Sequence, residues 1–306
     1  MSRKKKVFIP VIMIFIAGIV LTSHRYLNSD TDTLEVAKEK RDFIQEVKAP
    51  PVPEYLAFAG ESVPLENFDV KESLDRELMV NTYFHSQTLR FLKVAPRYFH
   101  IIEPILKRDS IPDDFKYLAL AESSFDSKAL SPVGAAGIWQ LMKGTARDYG
   151  LEVSNEVDER YHIEKATEAA CKYLHESYAR YGNWTTVAAS YNAGRRGIDR
   201  QVERQQENHY YNLLLTEETS RYVYRILALK VILESPEKYG FFVNQSEIYP
   251  DLSVKLITVD TSVTNFAEFA KELGINYKIL KLFNPWLRET YLINESGKPY
   301  YLAIPE

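Results

Sequence analysis

The sequence predicts a mainly α-helical domain followed by a small α+β module, and three features predict it. Between about residues 68 and 240, apolar residues recur at three- and four-residue spacing through "KESLDRELMVNTYF", "SQTLRFLKVAPRYFHIIEPILKRD" and "PDDFKYLALAES", the periodicity of helices that bury one face. Glycines then stand where that periodicity stops. Helices predicted over about 138–149, 163–181 and 184–193 end at Gly150, Gly182 and Gly194, and a further one spans 217–234, in keeping with glycine at helix C-termini. After Pro250 the texture changes to alternating β-branched chain in "SVKLITVDT", a short helix in "NFAEFAKELG" and a last strand in "PYYLAIPE". That pattern predicts a compact β-α-α-β module over 251–306.

The chain begins with "MSRKKK" and the uninterrupted apolar run "VFIPVIMIFIAGIVL", Val7 to Leu21. A basic start followed by such a run, intermediate in length between a signal peptide and a membrane span, directs the chain out of the cytoplasm. No small-x-small cleavage site follows in "TSHRYLNSD". Residues 1–21 therefore read as a signal anchor with its basic end inside, in preference to a removed signal peptide. Residues 22–67 are charged and run through "KAPPVPEY", a composition that predicts a tether between the membrane and the helical domain of 68–240.

Composition excludes several classes of function. At 306 residues with 45% apolar content the chain can fill a sizeable core. A net charge of -4 with scattered Lys and Arg offers no footprint for nucleic acid. The single cysteine, Cys171 in "EAACKYL", precludes an intramolecular disulfide and reads as a buried helix residue. None of the six histidines falls in a metal-ligand spacing. No metal and no cofactor is predicted.

Chemistry concentrates near "LALAESSFDSKALSPVGAAGIWQLM". Phe115, Leu118 and Glu122 stand at i, i+3 and i+7, so the glutamate shares the face that the apolar residues bury. A carboxyl against apolar surface loses hydration in its charged form, its pKa rises, and it can donate a proton near neutral pH. The alternative is a solvated helix end. In the loop that follows, Gly134 and Gly137 allow tight turns or close approach to a ligand. Trp139 and Gln140 offer an apolar plate and an amide, or else Trp139 belongs to the core. In "VAASYNAGRRGI" small residues precede Tyr191 and Asn192, which could present a hydroxyl and an amide, although a helical Tyr is more often core. In "TEETSRYVYRI", Glu218 and Tyr222 lie one helical turn apart on one face. Asp126, the only nearby second carboxylate, reads as structural.

Taken in order, "ESSFDSKALSPVGAAGIWQLM", "TARDYGL", "DERYHIEKATEAACKYL", "ASYNAG" and "ETSRYV" resemble the catalytic domain of lytic transglycosylases of the soluble-lytic-transglycosylase type, over about residues 70 to 240. The resemblance implies a lysozyme-like helical fold. It also implies cleavage of the β-1,4 bond after N-acetylmuramic acid in peptidoglycan, without addition of water and with a 1,6-anhydro end. It carries the catalytic acid onto Glu122 and the serine paired with it onto Ser123. Gly137, Gln140, Tyr191, Asn192, Glu218 and Tyr222 are expected at the glycan cleft. Lys143 stands where the family often has proline. The C-terminal module is similar to a LysM glycan-binding repeat, with Val259 in place of the usual glycine before "DT". The implied setting is the periplasmic side of a bacterial envelope, with peptidoglycan strands as partner and the membrane reached through residues 7–21. Two other readings keep the same sequence features: a lysozyme-type hydrolase, and a non-catalytic glycan-binding scaffold.

Overall fold

The computed structural model describes residues 47–306. The predicted anchor of 1–21 and the tether up to residue 46 lie outside the described residues. Among the described residues no helix is long and apolar enough to cross a membrane.

The predicted tether does not extend to residue 67. Strands β1 (Ala57–Phe58) and β2 (Glu61–Ser62) pair antiparallel. Ala59 and Gly60 between them, both at positive φ (54° and 82°), make the tight hairpin loop. Leu56, Phe58 and Val63 are buried in the main core. The polar average of the segment hid these apolar residues.

Six long helices build the core: α1 (Phe68–Tyr83), α2 (His85–Arg108), α3 (Phe115–Ser123), α5 (Ile163–Tyr181), α6 (Trp184–Ala193) and α8 (Glu217–Glu234). The shorter α4 (Lys143–Asp148) and the amphipathic α7 (Arg195–Gln205) flank them. Helix α2 buries Thr88, Phe91, Val94, Ala95, Ile102, Ile105 and Leu106, the three-four stripe its sequence predicts. Helix α3 is different. Phe115, Tyr117, Leu118, Ala119, Leu120 and Ser123 are all buried, so α3 is enclosed nearly all round, and Glu122 near its end is only partly exposed. The glycine stops of α5 and α6 stand where predicted, with Gly182 and Gly194 at positive φ. The helix predicted over 138–149 is shorter. It begins only at Lys143, because Gly137 (φ 74°) and Gln140 (φ 46°) are left-handed and the preceding chain folds back so that Ala136 bridges both Leu130 and Leu141.

The C-terminal module has the predicted order: β3 (Val254–Val259), α9 (Phe266–Glu272), α10 (Tyr277–Phe283) and β4 (Tyr300–Pro305), with β3 and β4 antiparallel in a two-stranded sheet. Asn265 and Asn276 cap the two helices by accepting backbone N–H bonds. Val259 ends β3 as a buried core residue. The module core is shared, since Ala136, Val157 and Tyr161 from the helical part pack with Phe266, Leu280, Trp286, Leu287 and Leu302. Val157 bridges Leu287, the Asp158 N–H donates to the Trp286 carbonyl at 2.8 Å, and the Arg288 N–H donates to the Glu156 carbonyl at 2.7 Å. Tyr300 and Lys298 both donate to the Glu152 carboxylate.

Candidate active site

Helix α3 delivers Glu122 at its last turn and then stops abruptly. Ser124 (φ 55°) and Phe125 (φ 51°) are consecutive left-handed residues without glycine's freedom, each costing about 1–2 kcal/mol. Packing offsets the strain. Phe125 is 1% exposed, stacks on Tyr98 at 4.8 Å and meets Phe99 edge-on at 5.6 Å. Arg90 donates to the Ser124 carbonyl at 2.6 Å. The turn holds the end of α3, and Glu122 with it, in one place.

Around Glu122 the structure gathers side chains from two other helices. The Tyr222 hydroxyl of α8 donates to Glu122 Oε1, and Tyr222 is 2% exposed. Burial, and after it the charge of Glu122, pushes both Tyr222 and Tyr191 of α6 well above the usual phenol range, so both remain protonated donors. Glu122 itself is pushed up from 4.5 to about 7. Loss of hydration is the main cause, opposed by the Tyr222 hydrogen bond and the Arg225 charge and reinforced by the Glu218 charge. Glu218, Tyr222 and Arg225 stand at i, i+4 and i+7 of α8, one face of that helix. The result is a carboxyl that can carry a proton at neutral pH and lose it again without a large change in energy.

The other predicted residues divide between this cluster and its support. Ser123 is buried and its hydroxyl donates to the Ala119 carbonyl at 3.1 Å, within its own helix. Tyr191 donates to the Trp139 carbonyl at 2.7 Å. The Asn192 side-chain oxygen accepts from Thr219 at 3.0 Å, which joins α6 to α8. Glu218 is exposed. Trp139 is fully buried and its indole donates to Thr167 at 2.8 Å, so it belongs to the core and offers no plate. The Gln140 amide donates to the Gly137 carbonyl at 2.8 Å and thereby closes the loop on itself. Gly137 has a packing reason: a Cβ there would lie 1.9 Å from the Arg160 carbonyl oxygen. Asp126 is exposed and accepts the Lys128 N–H at 2.9 Å in a local turn.

Sequence reasoning passed over Arg160, Asp158, Arg225 and Glu77. Arg160 pairs with Asp158 through two hydrogen bonds of 2.9 and 2.7 Å, both side chains being over nine-tenths buried. It also donates to the Gly134 and Leu141 carbonyls at 2.7 and 3.2 Å. This ion pair clamps both ends of the loop that carries Gly137 and Gln140. The D-x-R spacing in "DERYHI" was the available signal. Glu77 of α1 is buried against α8, where Arg221 donates to it at 2.6 Å and Arg225 lies 4.0 Å away. Among the described residues no cluster of His, Cys, Asp and Glu could hold a metal ion.

Residues 99–214 match the family described as Transglycosylase SLT domain, and residues 255–306 match the Soluble lytic transglycosylase C-terminal LysM-like domain. Over 259 residues, 82% of this chain, the sequence is 30% identical to Membrane-bound lytic murein transglycosylase D of Escherichia coli, and it spans 55% of that relative's length. Two solved structures are similar over smaller shares. Lytic transglycosylase Slt of Pseudomonas aeruginosa is 23% identical over 50% of this chain and 26% of its own, with a TM-score of 0.36. The 70 kDa soluble lytic transglycosylase of Escherichia coli is 25% identical over 44% and 24%, with a TM-score of 0.36. The chain thus carries a transglycosylase SLT domain of the lytic transglycosylases, followed by their soluble-type LysM-like C-terminal domain.

Proposed function

We propose that the protein is a lytic transglycosylase of peptidoglycan, with Glu122 as its single acid and base. The observation that carries this reading is the Glu122 carboxyl, desolvated at the end of α3, raised to about 7 and held by the Tyr222 hydroxyl. Protonated Glu122 gives its proton to the glycosidic oxygen between N-acetylmuramic acid and N-acetylglucosamine as that bond breaks. The resulting carboxylate then takes the proton from the muramic C6 hydroxyl, whose oxygen closes on C1 to form the 1,6-anhydro ring. No water is consumed, and Glu122 ends protonated for the next cycle. A glycosidase that uses water ordinarily needs a second carboxylate across the sugar. Asp126 is tied into a local turn and Glu218 is exposed, which favours the one-acid route.

The assignment of residues 7–21 as a membrane anchor, and of the periplasm as the working compartment, belongs to the same proposal. It rests on the basic start and apolar run of the sequence and on the name of the membrane-bound relative. The LysM-like module is read as an extension of the glycan-facing surface.

The test is incubation of the full chain and of Glu122→Gln with purified peptidoglycan, followed by mass spectrometry of released muropeptides. Products one water lighter than reducing muropeptides, absent with Glu122→Gln, support the proposal. Reducing ends would make the chain a hydrolase, and no release from either protein would leave a glycan-binding role.

A further inference from the structure

The hairpin β1–β2 lies outside the segment that matches the SLT domain, yet it touches all three helices that deliver the cluster around Glu122. Asp114 is the N-cap residue of α3 but makes no side-chain cap. Its carboxylate instead accepts the Ala59 N–H at the hairpin tip at 2.6 Å and the Lys230 ammonium of α8 at 2.7 Å. Lys230 donates in addition to the Ala57 carbonyl at 2.9 Å. Both charged side chains are only 15% and 13% exposed. Glu61 of β2 accepts the Trp184 and Thr185 N–H groups at 2.5 and 3.1 Å, and so caps α6 from another element. Phe58 is fully buried with its ring 5.3 Å from Phe115, which in turn meets Trp184 at 5.2 Å.

Each contact sits at the end of its helix away from the active cluster. Asp114 precedes Glu122 by eight residues on α3, Lys230 follows Tyr222 by eight on α8, and Trp184 precedes Tyr191 by seven on α6. At 1.5 Å per residue the hairpin therefore acts about 12 Å from Glu122. The order of the pairs, 114 with 230 and 122 with 222, means that α3 and α8 meet in opposed directions. Sliding one helix along the other would break the ion pair and the Glu122–Tyr222 bond together.

We propose that the hairpin, with Asp114, Lys230 and Glu61, is a positioning clamp that sets the register of α3, α8 and α6 and thereby holds Glu122 against Tyr222. This rests on Glu122 being the reactive acid, but its primary test needs no substrate. Besides Tyr222, the groups that face Glu122 are Arg225 and Glu218 of α8 and Tyr191 of α6, and none of them is altered in the variants below.

The experiment is an NMR titration of side-chain-labelled Glu122 in the full chain, in wild type and in Lys230→Met, Lys230→Arg and Glu61→Gln, with kcat and KM on peptidoglycan beside it. Slack at the clamp admits water to Glu122, which lowers its midpoint, and loosens the Tyr222 bond, which raises it; loss of hydration is the larger of the two causes, so the net shift is downward. Lys230→Met is expected to lower its midpoint from about 7 toward the ordinary carboxylate range, and to reduce kcat about tenfold with KM little changed. Lys230→Arg is expected to restore both. Should Lys230→Met fail to fold, the double variant Asp114→Asn/Lys230→Met removes both buried charges, and Glu61→Gln leaves the ion pair whole; the same titration shift is expected in each, smaller in Glu61→Gln. Variants that lose thermal stability while Glu122 titrates as in wild type would overturn the proposal and leave the hairpin a purely structural strap. If wild type releases nothing from peptidoglycan, the functional proposal fails while the titration still decides this one.

Discussion

Replacing Tyr222 with Phe removes one oxygen from a position that is 2% exposed and leaves every carbon in place. The lost hydroxyl donates to Glu122 Oε1. A hydrogen bond to a charged group contributes about 1.5–3 kcal/mol and one between neutral groups about 0.5–1.5. The carboxylate therefore loses roughly 1–1.5 kcal/mol more than the protonated acid. At about 1.36 kcal/mol per pKa unit, the Glu122 midpoint near 7 moves up by about one pH unit. Burial, the larger cause of the raised value, is untouched by the substitution. The assay is kcat against pH on purified peptidoglycan, with anhydro-muropeptides counted by mass spectrometry. Since the protonated acid starts the reaction, wild-type activity falls as pH rises through about 7, and the variant's alkaline limb lies about one unit higher. Its plateau is lower, because the carboxyl has lost the contact that orients it. An alkaline limb that stays in place or moves to lower pH would refute the reasoning, since Tyr222 would then not stabilise the ionised carboxylate.

Stability should fall over the same pH range as activity. Glu122 keeps its proton to about 7 in the folded chain but ordinarily gives it up near 4.5, so the folded state binds more protons across that window. Its contribution is fully present below the lower value and is lost as pH rises through the upper one. Glu122→Gln, with no proton to lose, is expected to exceed wild type by about 2 kcal/mol at pH 8, after a discount for residual solvent contact, relative to the difference at pH 4, as measured by urea unfolding. Gly137→Ala drives a methyl into the Arg160 carbonyl and should cost about 2–4 kcal/mol with loss of most activity, read by thermal melts and turnover. Arg160→Met leaves Asp158 charged and unpaired in a buried setting and should cost about 3–5 kcal/mol. The Gly134–Leu141 loop is released as well, so any folded Arg160→Met protein should show a raised KM.

What the sequence made legible follows the range of the forces involved. Helices α5, α6 and α8 were readable because a three-four apolar stripe is a local signal, as are the glycine stops of α5 and α6; α9 was readable from its short apolar run ending in glycine, and its asparagine cap is seen only in the structure. The burial of Glu122 near the end of its helix was readable for the same reason, by counting along α3. Residues 138–142 were misread as the start of a helix, whereas Gly137 and Gln140 are left-handed and the Arg160 backbone leaves no room for a Cβ at Gly137. Arg160 went unnoticed because two of its partners, Gly134 and Leu141, offer only backbone carbonyls, which leave no mark in composition. Residues 57–62 vanished into the average of a charged stretch, although Phe58 and Gly60 were there to be read. Trp139 had been balanced between plate and core, and the Thr167 bond decides for core.

The shared core between the helical part and the C-terminal module bears on how much the covalent chain matters to their union. Phe242, Tyr249 and Leu252 in the connecting stretch are exposed at 74%, 45% and 51%, and much of that stretch lacks regular structure. A protease that severed the chain there would leave the non-covalent contacts between the pieces to hold them. Trp286 would still receive the Asp158 N–H, Leu287 would still bridge Val157, and the Glu152 carboxylate would still bind Lys298 and Tyr300. Expressed as separate polypeptides, the two parts carry the complementary surfaces needed to reassemble.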